Sequence, residues 1–434
     1  MNWARTRSFF PVTREIAYLD NAGVAPISTR VEEALARFAG EASRRGAFRY
    51  DDFYDTEIER VRGRAAQLLG ARPEEVAFVK NTTEGLGLVA VGLDWRRGDQ
   101  VVTCDLEYPS NVYPWWSLRQ RGIETVMLRG RDGRLPFEAV EQALSSRRVR
   151  LLALSSVEFG SGARNDLEAL GKLCRERGVL FCVDAIQSLG CLPLESVEQA
   201  LSSPRARLLA LSSVEFGSGA RNDLEALGKL CQERGVLFCV DAIQSLGCLP
   251  LDVERCGIDF LAADGHKWLL SVEGCGVFYC SRRVLDLVTP RIVGWRSVAD
   301  NRDFDRYHLD LQPGAGRFEE GTPNTAGIFA LGAAIDLLLE LGIDAIGRRV
   351  LELTQQLVEG LTRRGARLLS PCGPREASGI VSFRVGDEPP ARSVDRLRKQ
   401  GVLVVERRGG VRASPHFYND EADLERLLGA LSGR

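Results

Sequence analysis

Two stretches decide the fold of this 434-residue chain: Val236-Leu-Phe-Cys-Val-Asp241-Ala-Ile-Gln244 and, further along, Ala263-Asp-Gly-His-Lys267-Trp268. The run from Val236 to Val240 is continuously apolar, which is typical of a parallel strand covered on both faces. Asp241 follows directly at its end. Because ligands of open α/β sheets bind beyond the carboxyl ends of strands, this pattern predicts that Asp241 faces a ligand. The alternative is that Asp241 caps the following turn.

Lys267 is one of five lysines in a chain with 52 arginines. It follows a second apolar stretch, from Ile258 to Ala262, and stands beside His266. Only lysine offers a primary amine that condenses with an aldehyde, and arginine cannot replace it. We therefore predict a chemical role for Lys267, against the alternative of a solvated surface lysine.

A third element runs from Phe78 to Leu86, in the order apolar strand, hydroxyl residues, helix. Thr82 or Thr83 is predicted to cap this helix, leaving its free N–H groups pointing outward as an anion site. A plain helix cap without a ligand is the alternative. The phosphate cradle, the aspartate and the lysine together are the requirements of pyridoxal phosphate, whose ring acts as an electron sink when its nitrogen stays protonated.

The chain resembles fold-type-I pyridoxal-phosphate enzymes of the class V aminotransferase and cysteine-desulfurase-like superfamily, and most of all the isopenicillin-N-epimerase-like branch. This resemblance implies an α/β fold with a mostly parallel seven-stranded sheet flanked by helices and a smaller α+β domain. Seven motifs in family order carry it: Tyr18-Leu-Asp-Asn-Ala22, Asn81-Thr-Thr-Glu-Gly85, Glu107-Tyr-Pro-Ser-Asn111, Val240-Asp-Ala-Ile-Gln244, Gly265-His-Lys267, Gly321-Thr-Pro-Asn324 and Val411-Arg-Ala-Ser414.

The resemblance also implies roles for the residues that contact the cofactor. Lys267 would hold it as an aldimine and move the proton at the substrate's α-carbon, Asp241 would pair the ring nitrogen, and Gln244 would donate a hydrogen bond to the phenolic oxygen. Tyr108 would stack on the ring. The phosphate would be held by Thr82, Thr83 and His266.

Three further roles follow from the same motifs. Thr322 would reach the phosphate of a neighbouring subunit, which implies a homodimer. Arg412 would clamp the substrate carboxylate, a natural partner for a bidentate guanidinium, although a surface arginine is the alternative. Asn21 would line the substrate mouth.

The sequence departs from the family in two places. Asp264 stands where many relatives have a phosphate-binding serine, so we expect its carboxylate to face elsewhere. The desulfurases also carry a nucleophilic cysteine on a long mobile loop before the carboxylate-binding arginine. Here the corresponding segment, Glu406-Arg-Arg-Gly-Gly-Val411, is short and contains no cysteine, and Cys372 lies outside it. Persulfide relay by the desulfurase route is therefore not expected.

Residues 139–195 recur at 196–252, with 52 of 57 positions identical, and removing one copy leaves 377 residues (434 − 57). We interpret this repeat as a tandem duplication inside the large domain. Asp241 lies 26 residues before Lys267, whereas its counterpart Asp184 lies 83 before it. We therefore expect Asp241 and Gln244 to serve the cofactor, Asp184 and Gln187 not to, and the surplus copy to pack as an added surface layer or at a subunit contact.

The bulk composition excludes several classes of protein. Net charge is −2 with acids and bases interspersed, which suggests neither nucleic acid nor a membrane surface as a partner. Three histidines and no CxxC pair make a metal site unexpected. Residues 1–14 have no apolar core of signal-peptide type, so we expect a cytoplasmic protein. The predicted units are an arm (1–15), a large cofactor-binding domain (16–338) and a small domain (339–434).

Three functions stay open at this point. The first is an enzyme that acts on an amino acid by transamination or epimerisation. The second is a carbon–sulfur lyase that uses the same lysine for β-elimination. The third is a non-catalytic relic of the fold, which intact Lys267, Asp241 and Arg412 disfavour.

Overall fold

The computed structural model describes residues 1–92, 94–107, 112–132, 134–155, 165–184, 197–198, 201, 208–303, 305 and 308–432. Its strands, β1 to β15 in chain order, are Ala17–Tyr18, Val76–Val79, Gln100–Cys104, Glu124–Leu128, Val149–Ser155, Leu180–Asp184, Leu208–Ser212, Leu237–Asp241, Phe260–Asp264, Gly276–Cys280, Arg367–Leu368, Val381–Arg384, Val402–Leu403, Val405–Arg407 and Gly410–Ala413. The α-helices of the described part, α1 to α12, are Trp3–Arg7, Thr29–Arg45, Thr56–Leu69, Thr82–Gly92, Tyr113–Ser117, Phe137–Ala143, Leu167–Arg177, Leu224–Arg234, Thr325–Leu341, Ile343–Arg363, Pro390–Lys399 and Glu421–Ser432.

The large domain is built on two hydrogen-bonded sheet segments, β2-β10-β9-β8-β7 and β4-β3-β5-β6. The segments adjoin where β6 contacts β7, but the described residues show no hydrogen-bonded pairing between these two strands. All pairings within the segments are parallel except the two made by β10. The predicted α/β architecture with a mostly parallel sheet and flanking helices is confirmed.

The described parts of the two copies of the repeat share local structure. In each copy an aspartate, Asp166 or Asp223, accepts a hydrogen bond from a first-turn N–H of its helix. A left-handed glycine, Gly178 or Gly235, ends each helix, where a side chain would strain the backbone. The strand pairs also share one register, with Leu151 opposite Leu180 in the first copy and Leu208 opposite Leu237 in the second.

Two predictions about the sheet were wrong. The described strands of the large domain form a five-stranded and a four-stranded segment rather than one seven-stranded sheet, and the surplus copy is not a surface layer. Its strands β5 and β6 extend the four-stranded segment beyond β3, and β6 contacts β7. The physical reason is that the backbone groups of β5 are satisfied by pairing with β3 and β6, which a layer packed on the face of the sheet could not provide.

The small domain is a second layered unit. Its sheet, β11-β12-β15-β14, is antiparallel throughout. Apolar side chains on one face of the sheet pack against helices α10, α11 and α12. Strand β1 pairs in parallel with β13, and Ala17 and Leu19 belong to this core. The predicted boundary after residue 15 therefore assigns to the large domain a strand that pairs with the small one.

No single helix in the described ranges is long and apolar enough to span a bilayer. Helices α9 and α10 together have sufficient length and apolar composition, but the chain bends by 82° between them. Helix α9 is buried along most of its length. It joins the large domain to α10, whose apolar side faces both cores.

Deletion of residues 139–195 tests whether the strands of the second copy can take the place of those of the first copy beside β3. We expect the 377-residue product to unfold cooperatively and to bind pyridoxal phosphate within about fivefold of the full chain, a change of roughly 1 kcal/mol. The reason is that β7 carries the same Leu-Leu-Ala-Leu-Ser sequence that β5 uses beside β3. Circular dichroism melting and cofactor titration measure both quantities. If the product aggregated and bound no cofactor, the idea that β7 can replace β5 beside β3 would be contradicted.

Candidate active site

Lys267 follows β9, on a short turn at the carboxyl edge of the sheet. Burial lowers the pKa of its amine, while the carboxylate of Asp241 acts in the opposite direction and raises that pKa. The guanidinium of Arg412 lowers the pKa further, and Asp264 and Asp20 raise it. Lys267 is thus partly enclosed and surrounded by charged groups, and its amine loses a proton more readily than an exposed lysine does.

Asp241 ends β8, the parallel neighbour of β9. Its Oδ1 accepts a hydrogen bond of 2.9 Å from the backbone N–H of Ile243. Burial raises the pKa of this carboxyl group to about 6, against the N–H of Ile243 and the charge of Lys267, which both lower it. The corresponding residue of the first copy, Asp184, ends β6 and is separated from β9 by two strands.

Helix α4 points its N-terminus towards this edge of the sheet. Asn81, and not Thr82 or Thr83 as predicted, caps it: its Oδ1 accepts a 2.9 Å hydrogen bond from the N–H of Glu84. The helix begins at Thr82, so the threonines occupy its first turn. The Oγ1 of Thr82 is buried and has no hydrogen-bond partner in the described structure, whereas Thr83 is exposed. A Cβ on Gly85 would lie 2.7 Å from the Cβ of Ala262 on β9, so the helix packs closely on the lysine strand.

His266 and Asp264 form a pair beside Lys267. The Nδ1 of His266 lies 3.3 Å from the Oδ1 of Asp264 but makes no hydrogen bond among the described atoms. The same Oδ1 accepts the backbone N–H of Gly265 at 3.1 Å. The carboxylate of Asp264 is buried and turned towards its own chain neighbours.

Gln244 lies beneath the site and is almost fully buried. Its Nε2 donates to the carbonyl of Ala22 at 3.2 Å, and its Oε1 accepts the indole N–H of Trp268 at 2.9 Å. These contacts fix the amide orientation and leave one of its two N–H groups for another acceptor.

Arg412 reaches the site from β15 of the small domain and is 1% exposed. Its Nη1 donates to the carbonyl of Phe216 at 3.0 Å, and its Nη2 donates to the carboxylate of Asp20 at 2.9 Å. Burial lowers the pKa of the guanidinium, and Asp20 raises it. Its Nε has no partner in the described part of the chain.

The other predicted site residues fall into three situations. Asn21 is fully buried, with its amide bonded to the Ser414 carbonyl and the Tyr418 hydroxyl, so its side chain does not open onto a substrate mouth. Thr322 is exposed, two residues after Glu320, which lies 3.5 Å from the amine of Lys80. Tyr108 lies outside the described residues.

Asp20 and Trp268 belong to the site but were not predicted as functional residues. Asp20 lies inside the recognised motif Tyr18–Ala22, and Trp268 directly follows the motif Gly265-His-Lys267. The position of Asp20 inside this motif could have indicated a functional residue. Its pairing with Arg412 could not be predicted from local sequence, because the two residues are 392 positions apart. In the described ranges no group of three or more His, Cys, Asp and Glu side chains is placed to hold a metal ion.

Fold and site together define a fold-type-I pyridoxal-phosphate protein. The family model "Aminotransferase class-V" matches residues 17–196 and 189–427, and the chain belongs to that family. The chain is 29% identical to a cysteine desulfurase of Cronobacter sakazakii over 98% of its length and 96% of that protein. It is 25% identical to the uncharacterized aminotransferase YcbU of Bacillus subtilis, over 99% and 97%.

A solved structure gives the same answer about the fold. The apo structure of a cysteine desulfurase from Thermococcus onnurineus NA1 matches with a TM-score of 0.74 and 28% identity, over 98% of this chain and 96% of that one. The predicted superfamily, fold and cofactor class are confirmed. The isopenicillin-N-epimerase-like branch remains a prediction.

The residues present fit pyridoxal phosphate. The unpartnered hydroxyl of Thr82 and the free N–H groups at the start of α4 suit a phosphate. Asp241 would pair the ring nitrogen, Gln244 has one N–H for the phenolic oxygen, and Lys267 offers the amine.

The repeat supplies a matched test of Asp241. We expect Asp241→Asn to weaken binding of pyridoxal phosphate roughly tenfold to a hundredfold, because a hydrogen bond to a charged group contributes about 1.5–3 kcal/mol. Asp184→Asn, the same change in the same local sequence, should leave the affinity unchanged. Absorbance titration of the apoprotein measures both dissociation constants. Equal losses in the two variants would exclude the assignment of the cofactor to the second copy.

The lowered pKa of Lys267 predicts a pH profile. The deprotonated amine is the form that attacks an aldehyde. The rate of covalent attachment of pyridoxal phosphate should therefore rise with pH and level off below 10.5, the ordinary lysine pKa. Asp241→Asn removes a carboxylate that raises this pKa, so its midpoint should move to lower pH. Stopped-flow absorbance gives the profile, and an unshifted midpoint in the variant would show that the two groups do not interact.

Proposed function

We propose that the protein is a pyridoxal-phosphate-dependent enzyme that acts on an amino acid by transamination or epimerisation, with Lys267 as its central catalytic residue. Family membership supports the dependence on the cofactor and the amino-acid chemistry. The enclosed, charge-surrounded amine of Lys267 supports its role as both attachment point and proton carrier.

Each side chain has a distinct task in this proposal. Bound pyridoxal phosphate supplies an electron sink for the bonds at the substrate's α-carbon. Lys267 takes the proton from that carbon and, in an epimerisation, a proton is returned to the opposite face of the same carbon; in a transamination Lys267 would instead pass the proton on to the cofactor. Asp241 keeps the ring nitrogen protonated through its negative charge. Arg412 binds the substrate carboxylate, which has to compete with Asp20 for the Nη2 of the guanidinium.

The β14–β15 hairpin is the observation that favours this chemistry over persulfide relay. Only Arg408 and Gly409 join Arg407 to Gly410, and both have positive φ, 52° and 68°. Two residues at positive φ make the tight turn that suits a two-residue hairpin. The cysteine-bearing mobile loop of the desulfurases therefore has no counterpart before Arg412.

The described cysteines agree with this view. Eight of them are buried, and Cys372, the last cysteine in the sequence, is half-buried between β11 and β12. Burial raises the pKa of the Cys372 thiol, which disfavours the nucleophilic thiolate.

A carbon–sulfur lyase is the second candidate. Relatives named cysteine desulfurase span almost the whole chain, and by their name they act on cysteine. β-Elimination needs the same proton removal by Lys267 and no loop cysteine. A non-catalytic relic is disfavoured by the convergence of Lys267, Asp241 and Arg412 in one site.

We extend the proposal to assembly and location. A homodimer, with Thr322 contributing to the phosphate site of the partner subunit, agrees with the exposure of Thr322. We also propose, from the motifs, that Tyr108 stacks on the cofactor ring. From the sequence we propose a cytoplasmic location and the domain limits 16–338 and 339–434.

Product analysis with a panel of amino acids, with and without a keto acid, tests the reaction type. We expect amino-group transfer that requires the keto acid, or loss of optical activity without it. Pyruvate and sulfide from cysteine would instead assign a lyase. Chromatography and a sulfide assay distinguish these products.

The Lys267→Ala variant is the control for this panel. It should lose at least about a thousandfold in turnover, because no other described amine lies near the substrate's α-carbon and general acid–base catalysis contributes about 10²–10⁴-fold. Full turnover in this variant would end the proposal. The absence of both a cofactor absorbance band and borohydride-fixed label in the wild type would favour the relic.

A further inference from the structure

One face of the small-domain sheet carries arginines that continue from Arg412. Ser382 lies opposite Arg412 across β12 and β15, and Arg384 follows Ser382 by two residues on the same face. Arg367 lies opposite Arg384. Arg407, opposite Gly410, is on this face as well. The other face carries the apolar core of the domain.

These arginines line a cavity of about 350 Å³ between the two domains. Arg367, Arg384, Arg407 and Arg408 form its small-domain wall, and Gly217 and Ser218 form the wall from the large domain. No acidic side chain is among the described residues that line it. The charge of the lining is therefore positive, and Arg367, Arg384 and Arg407 carry it at solvent-exposed positions.

Neutral groups account for most of the partners of these side chains. Arg384 donates from Nε to the carbonyl of Gly409, and Arg407 donates from Nη1 to the carbonyl of Glu406 at 2.9 Å. Across the described ranges, Arg367, Arg384 and Arg407 make no ion pair with a carboxylate. Arg408 has Glu215 as an acidic neighbour.

Two of these arginines repel each other. Arg367 and Arg384 are directly opposite each other on neighbouring strands, and like charges in that position destabilise a sheet. An anion between these guanidinium groups would relieve the repulsion.

The cavity adjoins the substrate-carboxylate site. Arg412 bonds to the carbonyl of Phe216, and the next residue, Gly217, lines the cavity and accepts a 2.6 Å hydrogen bond from the hydroxyl of Ser382. Ser382, which lies opposite Arg412, also lines the cavity. The residues that line the arginine cavity thus include direct neighbours of the position of Arg412.

We propose that this cavity is a subsite for a second anionic group, a carboxylate or phosphate carried on the side chain of the amino-acid substrate, whose α-carboxylate binds Arg412. The inference rests on the proposed function, because it takes Arg412 and Lys267 as the substrate site. The substrate is then a dianionic amino acid with several bonds between its two anionic groups.

Titration of the holoprotein with matched amino acids tests the subsite. The pairs are glutamate with glutamine, 2-aminoadipate with norleucine, and O-phosphohomoserine with homoserine; the change in cofactor absorbance gives each dissociation constant. At about 50 mM salt, where screening is modest, the anionic member of at least one pair should bind tenfold or more tightly than its neutral partner.

Three variants locate the preference. Arg384→Gln and Arg367→Gln should reduce the preference for the anionic member over the neutral one to about threefold or less, since one or two charged contacts are lost. The affinity for the neutral member should stay unchanged. Arg392→Gln, an exposed arginine on α11 over the opposite face, should keep the full preference. The first two variants should melt at or above the wild-type temperature, because a like-charge pair is removed.

The outcomes separate the subsite from the proposed function. The subsite alone would be overturned if the neutral and anionic members of every pair bound with equal dissociation constants. It would also be overturned if Arg384→Gln and Arg367→Gln kept the wild-type preference for the anionic member. Amino acids that never perturb the cofactor of the wild-type protein would overturn the proposed function, and the subsite with it.

Discussion

The parallel pairing of β8 with β9 is the constraint on which the site depends. Because both strands run in the same direction and are hydrogen-bonded neighbours, the residues that follow them emerge at one edge of the sheet. Asp241 and Lys267 are therefore brought together by backbone geometry, and each shifts the pKa of the other. The N-terminus of α4, with Thr82 in its first turn, joins them because α4 packs closely on β9 at Gly85.

The small domain completes the site through an interaction between distant parts of the chain. Strand β1 pairs with β13, which anchors the N-terminal segment on the small domain. Just after β1, Asp20 binds the guanidinium of Arg412. The guanidinium of Arg412 is thus held in place by the N-terminal motif, and its orientation depends on the packing of the two domains.

Local patterns were enough to predict the elements that carry chemistry, and long-range packing explains what they missed. Apolar runs ending in Asp241 and before Lys267 predicted two buried strands and their carboxyl ends. The cap of α4 was misplaced by one residue because Asn81 and Thr82 are both good capping residues. The burial of Asn21 and the pairing of Asp20 with Arg412 join residues almost 400 positions apart, and no local periodicity reports such contacts.

The insertion of β5 and β6 beside β7 and β8 gives the molecule two almost interchangeable strand pairs with one register. The backbone register within a pair does not distinguish them, so the connections to β3 and β9 define which copy lies where. Loop-closure entropy grows slowly with length, so this discrimination is weak. During folding the chain faces a degenerate choice between topological isomers, and in the exchanged isomer Asp184 would occupy the place beside the amine of Lys267.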